Sequence, residues 1–166
     1  MLVESGALMF GEFRLTSGKK SSYYINIKKA YTEPVVLKGI AREMARHVKA
    51  HRVAGMELGA IPIVVAVALE TGKPFSMIRK EGREHGTGKL IEGDIRGGET
   101  VDIIEDVSTT GGSIIKSAHA VRQAGGSVER AIVVVDRGEG AENLLRAEGI
   151  ELVSLVSAEQ LRTRAN

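Results

Sequence analysis

The segment Val101-Asp102-Ile103-Ile104-Glu105-Asp106-Val107-Ser108-Thr109-Thr110-Gly111-Gly112-Ser113 constrains this chain more than any other. An apolar run ends in two adjacent acids. A loop of small hydroxyl residues and glycines follows at once. Then Ile114, Ile115, Ala118 and Val121 recur at helical spacing. The pattern reads as strand, anion loop, helix. Such a loop offers backbone N–H groups and hydroxyls at a helix N-terminus, a ready cradle for phosphate. The two acids repel that phosphate. They suit ribose hydroxyls, a metal-bound water or a cationic transition state, so the pair beside the cradle suggests a ribose 5-phosphate ligand.

From residue 53 onward, strand and helix signals alternate. Strands are expected over 53–58, 74–79, 101–105, 128–135 and 151–156. Helices are expected over 61–70, with Pro62 tolerated in the first turn, and over 112–124 and 141–148. Ser157 caps a short terminal helix with Glu159 or Gln160 in its first turn. This alternation predicts an α/β fold, a central parallel sheet flanked by helices. Glu105-Asp106, Arg79-Lys80 and Asp136-Arg137 each end an expected strand, so all three should converge on the edge where open α/β sheets bind ligands. Before residue 51, short strands over 12–16 and 23–28 and a helix over 33–50 suggest a small hood. The chain reads as one domain over 1–166, with a hood (1–50) and a core (51–166) that carries an aperiodic lid loop (80–98). On the helix expected over 33–50, His47 and His51 stand four apart. No third metal ligand is evident, so both read as exposed helix histidines, and His119 as structural.

Composition narrows the function classes. The 166 residues include no Cys, which excludes disulfides, cysteine nucleophiles and thiolate metal sites and is compatible with a reducing cytoplasm. Net charge is +2 with signs interspersed, and no basic-aromatic array points to nucleic acid. The longest apolar run, 61–69, falls far short of the roughly 18 residues that span a bilayer. Residues 1–10 lack the basic start and apolar core of a signal peptide. A cytoplasmic protein that contacts no membrane is expected.

The acid pair before the loop, with neither a Walker spacing nor a G-x-G-x-x-G turn, resembles the signature of type I phosphoribosyltransferases for 5-phosphoribosyl 1-diphosphate (PRPP). Further motifs resemble the orotate phosphoribosyltransferase family. Arg79-Lys80-Glu81 followed by His85-Gly86-Thr87-Gly88 is similar to its mobile catalytic loop. Phe10-Gly11-Glu12-Phe13 with Leu15, Ser17-Gly18 and Ser21 resembles its N-terminal motif. Val135-Asp136-Arg137 resembles its base-recognition element. The motifs occur in the family's order and cover most of the chain.

The resemblance implies a type I phosphoribosyltransferase fold and transfer of ribose 5-phosphate from PRPP to orotate, giving orotidine 5′-monophosphate and pyrophosphate in pyrimidine synthesis. It implies Lys80, Arg83 and His85 as catalytic cations at the pyrophosphate. It implies PRPP contacts from Arg79, Lys80, Arg83, His85, Glu105, Asp106, Val107, Ser108, Thr109, Thr110, Gly111, Gly112 and Ser113, with the two acids on the ribose hydroxyls. Orotate contacts are implied for Thr109, Arg137 and Tyr24. Mg²⁺ would be carried mainly by PRPP and pyrophosphate, with Glu105 and Asp106 reaching it through water. A homodimer is implied, with lid residues shared across its interface.

Departures from the family pattern are Thr16 where many members have Lys (Lys19 or Lys20 standing nearby), Arg83 for Lys, Gly59 where some have a second Lys, and Ile25 for an aromatic. A usual N-terminal helix is expected to be shortened or missing, and no decarboxylase domain fits this length. The competing readings are a transferase for a purine or another base, which the lid and Arg137 oppose, and a non-catalytic PRPP-sensing regulator, which the retained Lys80 and His85 oppose.

Overall fold

The computed structural model describes residues 6–14, 20–81 and 90–165. Two strands, β1 (Leu8–Arg14) and β2 (Lys20–Ile25), form an antiparallel ribbon. Helices α1 (Ile27–Tyr31) and α2 (Pro34–Ala45) follow. The main sheet then builds through β3 (Arg52–Met56), α3 (Ile61–Thr71), β4 (Phe75–Ile78), β5 (Ile91–Glu92), β6 (Thr100–Ser108), α4 (Gly112–Gln123), β7 (Ser127–Asp136), α5 (Ala141–Ala147), β8 (Glu151–Ser157) and α6 (Ala158–Ala165).

The spatial order is β5-β4-β3-β6-β7-β8. Five strands are parallel, as the alternating pattern predicts, and β5 runs antiparallel to β4 at the edge. The chain leaves β3 toward one edge and returns to β6 on the other side of β3. The switch point therefore lies between the C-terminal ends of β3 and β6, where ligands of open α/β sheets bind.

Alternation along the strands divides the core. Val53, Ile104 and Ile132 pack with α2, α3, α6 and the ribbon. Ala54, Ile103 and Val133 pack with α4 and α5. Helix α2, grouped with the hood in sequence, thus belongs to a layer of the main sheet through Val36, Ile40 and Met44. At the C-terminus Ser157 Oγ accepts from the Gln160 N–H at 3.1 Å, and Gln160 Oε1 accepts from the Ser157 N–H at 2.8 Å. This is the reciprocal cap expected there, with Gln160 as the first-turn partner.

Four expectations are corrected. The helix expected to reach residue 50 stops at Ala45, because the buried carboxylate of Asp102 accepts the N–H groups of Lys49 and Ala50 at 2.8 and 3.0 Å and draws the chain into β3. His47 and His51 are consequently not paired on a helix, and His51 Nδ1 lies 2.8 Å from Thr100 Oγ1. The 80–98 segment is not wholly a loop. Its far arm returns as β5, with Arg79 donating through Nε and Nη2 to Glu92 Oε1 at 3.0 and 2.9 Å. Finally, residues 23–28 do not form one strand: β2 ends at Ile25 and α1 starts at Ile27, where Asn26 Oδ1 caps the Lys29 N–H at 3.1 Å.

Asp102 anchors the entry to β3, so Asp102→Ala leaves two backbone donors without their acceptor inside the fold. A loss of about 2–4 kcal/mol in unfolding free energy is expected. Urea titration of the two proteins checks it, and a change below about 0.5 kcal/mol would remove Asp102 from this role.

Candidate active site

Strand β6 runs to Ser108, three residues beyond the expected end, so the acid pair lies inside the strand. Glu105 and Asp106 are only 7% and 6% exposed. Glu105 Oε1 accepts the Asp106 N–H at 3.1 Å, and Asp106 Oδ1 accepts the Val107 N–H at 2.9 Å. Burial first, then the neighbouring Asp106 charge, pushes the Glu105 carboxyl up to about 8.

Asp106 has a cationic partner that the motifs did not reveal. Lys28 Nζ, on α1, donates to Asp106 Oδ2 at 2.6 Å. Burial pulls the Lys28 ammonium down, but the hydrogen bond to Asp106 and its charge outweigh this and raise it overall. Three residues on, Tyr31 donates to the Gly59 carbonyl at 3.0 Å. Burial and the Asp106 charge raise that phenol as well. Gly59 lies in the turn after β3, against the end of β6. A Cβ there would stand 2.7 Å from Asp106 Oδ2 and 2.9 Å from Lys28 Cε, so only glycine fits without displacement. No spacing rule links residues 28, 59 and 106, and α1 is too short for its period to mark a buried face.

Beyond β6, Thr109, Thr110, Gly112 and Ser113 are exposed around the N-terminus of α4. Gly111 caps that helix at φ 87°, a left-handed conformation that glycine takes without strain. The first-turn N–H groups of α4 therefore border a loop rich in hydroxyls, one of which, that of Ser113, bonds the Glu105 carboxyl. Ser108 is different. It is buried and donates to Asp136 Oδ1 at 2.5 Å, tying β6 to β7. Val107 is partly buried against the core.

Arg137 follows β7, and its N–H donates to the Ser108 carbonyl at 3.0 Å. Its side chain is 7% exposed and pairs with Glu139 Oε1 through Nε at 2.7 Å. Its Cζ lies 5.4 Å from the ring centroid of Tyr23, and that of Arg162 on α6 lies 5.3 Å from the same ring. Tyr23, rather than Tyr24, thus reaches Arg137, since neighbouring strand residues face opposite ways. Tyr24 packs on Phe13 with ring centroids 5.6 Å apart.

On the other flank, the Lys80 N–H donates to Glu57 Oε1 at 3.0 Å, joining the chain after β4 to the turn after β3. Lys80 itself is exposed, and Arg79 is held by Glu92. Arg83, His85, Thr16 and Lys19 lie outside the described residues. Among the described residues no three acids or histidines converge as a metal cage. The donors present fit a cation held chiefly by a diphosphate ligand, with the acid pair nearby.

The folded chain keeps a proton on Glu105 that the unfolded chain has released, so raising the pH from about 5 through about 8 should cost stability. Glu105→Gln should flatten this loss. Melting temperatures of both proteins across that range check it, and parallel curves would refute the assignment.

Residues 27–149 match the family model described as the phosphoribosyl transferase domain. The orotate phosphoribosyltransferase of Picrophilus torridus is 53% identical over 161 residues, covering 97% of each chain. The crystal structure of the orotate phosphoribosyltransferase from Aeropyrum pernix superposes with a TM-score of 0.88 at 34% identity, covering 99% of this chain and 97% of that one. The Mycobacterium tuberculosis H37Rv enzyme in complex with PRPP gives a TM-score of 0.72 at 32% identity, with 82% of each chain covered. With its acid pair, anion loop and strand order in place, the chain belongs to the orotate phosphoribosyltransferases of the phosphoribosyl transferase domain family.

Proposed function

We propose that the protein transfers the 5-phosphoribosyl group of PRPP to orotate at the switch point between β3 and β6. The observation that carries this reading is the buried Glu105-Asp106 pair leading directly into a helix-capping hydroxyl loop. The ring nitrogen of orotate gives up its proton to solvent or to the departing pyrophosphate and bonds to C1 of the ribose, as the C1–O bond breaks and its electron pair leaves with pyrophosphate. Orotidine 5′-monophosphate and pyrophosphate leave.

Thr109, Thr110, Gly111, Gly112 and Ser113 take the 5′-phosphate through N–H groups and hydroxyls. Glu105 and Asp106 receive the ribose hydroxyls. Val107 and Ser108 contribute by holding the strand end in place. Arg137 offers a planar guanidinium to the orotate carboxylate or carbonyl oxygens, with Thr109 beside the base. Tyr23 holds the Arg137 guanidinium from one side, and Tyr24 of the same ribbon, which packs on Phe13, is a further candidate for orotate.

At the opposite end Lys80, Arg83, His85 and Arg79 face the leaving pyrophosphate, where charge grows in the transition state. Mg²⁺, when bound on the diphosphate, neutralises its oxygens. Closing of the lid excludes water from the cationic ribose centre.

The chain acts as a single catalytic domain in a homodimer whose lids cross between protomers. Val35 on α2 and Leu69 on α3 are 72% and 81% exposed, apolar surface of the kind an interface covers. No helix of the described residues is long and apolar enough to cross a membrane, which fits a cytoplasmic biosynthetic enzyme.

Orotate absorbance should fall only when protein, PRPP and Mg²⁺ are all present, while uracil, adenine and hypoxanthine remain unchanged. Consumption of another base with orotate untouched would overturn the substrate. Arg83→Ala and Asp106→Asn should each lower turnover about a hundredfold. If lids are shared, co-expressing the two variants should restore about a quarter of the active sites, because mixed dimers assemble one intact site. Purely additive residual activity would sink the shared lid.

A further inference from the structure

Lys28 has no part in the reaction as described so far, yet it is the cation in direct contact with the acid pair. Its side chain is 57% exposed, whereas that of Asp106 is 9% exposed. One of its three ammonium donors is committed to Asp106 Oδ2 at 2.6 Å. Its stem passes Gly59 so closely that a Cβ at 59 would lie 2.9 Å from Cε. The space a side chain at 59 would take is therefore filled from α1. Tyr31 holds the turn against this helix through the Gly59 carbonyl at 3.0 Å.

Resting on the reading above, we propose that Lys28 is a PRPP-binding residue whose ammonium bridges Asp106 and the diphosphate of PRPP. The argument follows from the connectivity of the ligand. In PRPP the diphosphate hangs on C1, next to the C2 hydroxyl. A carboxylate that receives the ribose hydroxyls thus faces the diphosphate at close range, and two anions there repel. A cation already bonded to that carboxylate reverses the sign of the contact. The Lys28 ammonium is bonded to Asp106 at 2.6 Å, so its charge sits beside the carboxylate that receives the ribose. Gly59 permits it, since any side chain there would push against both the lysine stem and Asp106. A cation beside Asp106 thus comes from α1 rather than from the turn after β3.

Lys28→Gln tests this, because it retains a donor for Asp106 and loses the charge. It should raise the KM for PRPP and the dissociation constant of inorganic pyrophosphate about tenfold or more. The KM for orotate should stay within about twofold. Lys28→Arg should recover most of the pyrophosphate affinity, and Gly59→Ala should weaken it. Wild-type constants for PRPP and pyrophosphate in Lys28→Gln would overturn the proposal. So would equal rises in both substrates' KM, which mark a purely structural tie. If Lys28→Gln does not fold, Gly59→Ala with unchanged pyrophosphate affinity overturns it instead. Calorimetric titration with pyrophosphate keeps this test separate from the choice of base: a wild-type protein inactive on orotate refutes the functional reading, while its pyrophosphate affinity relative to Lys28→Gln still decides Lys28.

Discussion

Two carboxylates on successive residues of a buried strand are the constraint on which this structure turns. Desolvating both as anions would cost several kcal/mol each. The fold meets the cost in two ways. Glu105 retains a proton well above the ordinary carboxylate range, through burial and the Asp106 charge. Asp106 is matched by Lys28 at 2.6 Å and by the Val107 N–H at 2.9 Å. The pair therefore carries little net negative charge while keeping oxygen acceptors.

Topology does the rest. Because β6 returns beside β3, the turn after β3 and the loop after β6 face one another across a single crevice. Glu57 in the first of these also accepts the Lys80 N–H, so the chain leaving β4 is tethered to the same turn. The short ribbon and α1 close the remaining side and supply Lys28, Tyr31 and Tyr23. Each element is modest alone. Their convergence follows from strand order and the right-handed crossovers of parallel sheets.

The parts legible in the sequence were those encoded locally. The 101–113 pattern specified strand, loop and helix because burial, turn chemistry and helical period all appear within thirteen residues. The capping residues Ser157 and Gln160 were legible for the same reason. What escaped depends on contacts between distant residues. Asp102 ends α2 through hydrogen bonds across about fifty positions of sequence, so the helical period of 33–50 looked uninterrupted. Strand β5 has two residues, too few for alternation to show. Lys28 carries no local signature, and only the folded turn at Gly59 brings it to Asp106. Tyr23 and Tyr24 differ only in the face of the ribbon they occupy, which adjacency cannot reveal.

Strands β6 and β7 are paired in register up to Ser108 and Asp136, and the Ser108 hydroxyl bonds the Asp136 carboxylate where both strands end. The loop that begins at Thr109 and the guanidinium of Arg137 therefore spring from adjacent rungs of one ladder. They act as the two jaws of a fixed caliper, set by β-sheet geometry rather than by loop motion. A slip of one residue in β7 would turn Arg137 to the opposite face. The sheet itself, more than any single contact, gauges the span between the two jaws.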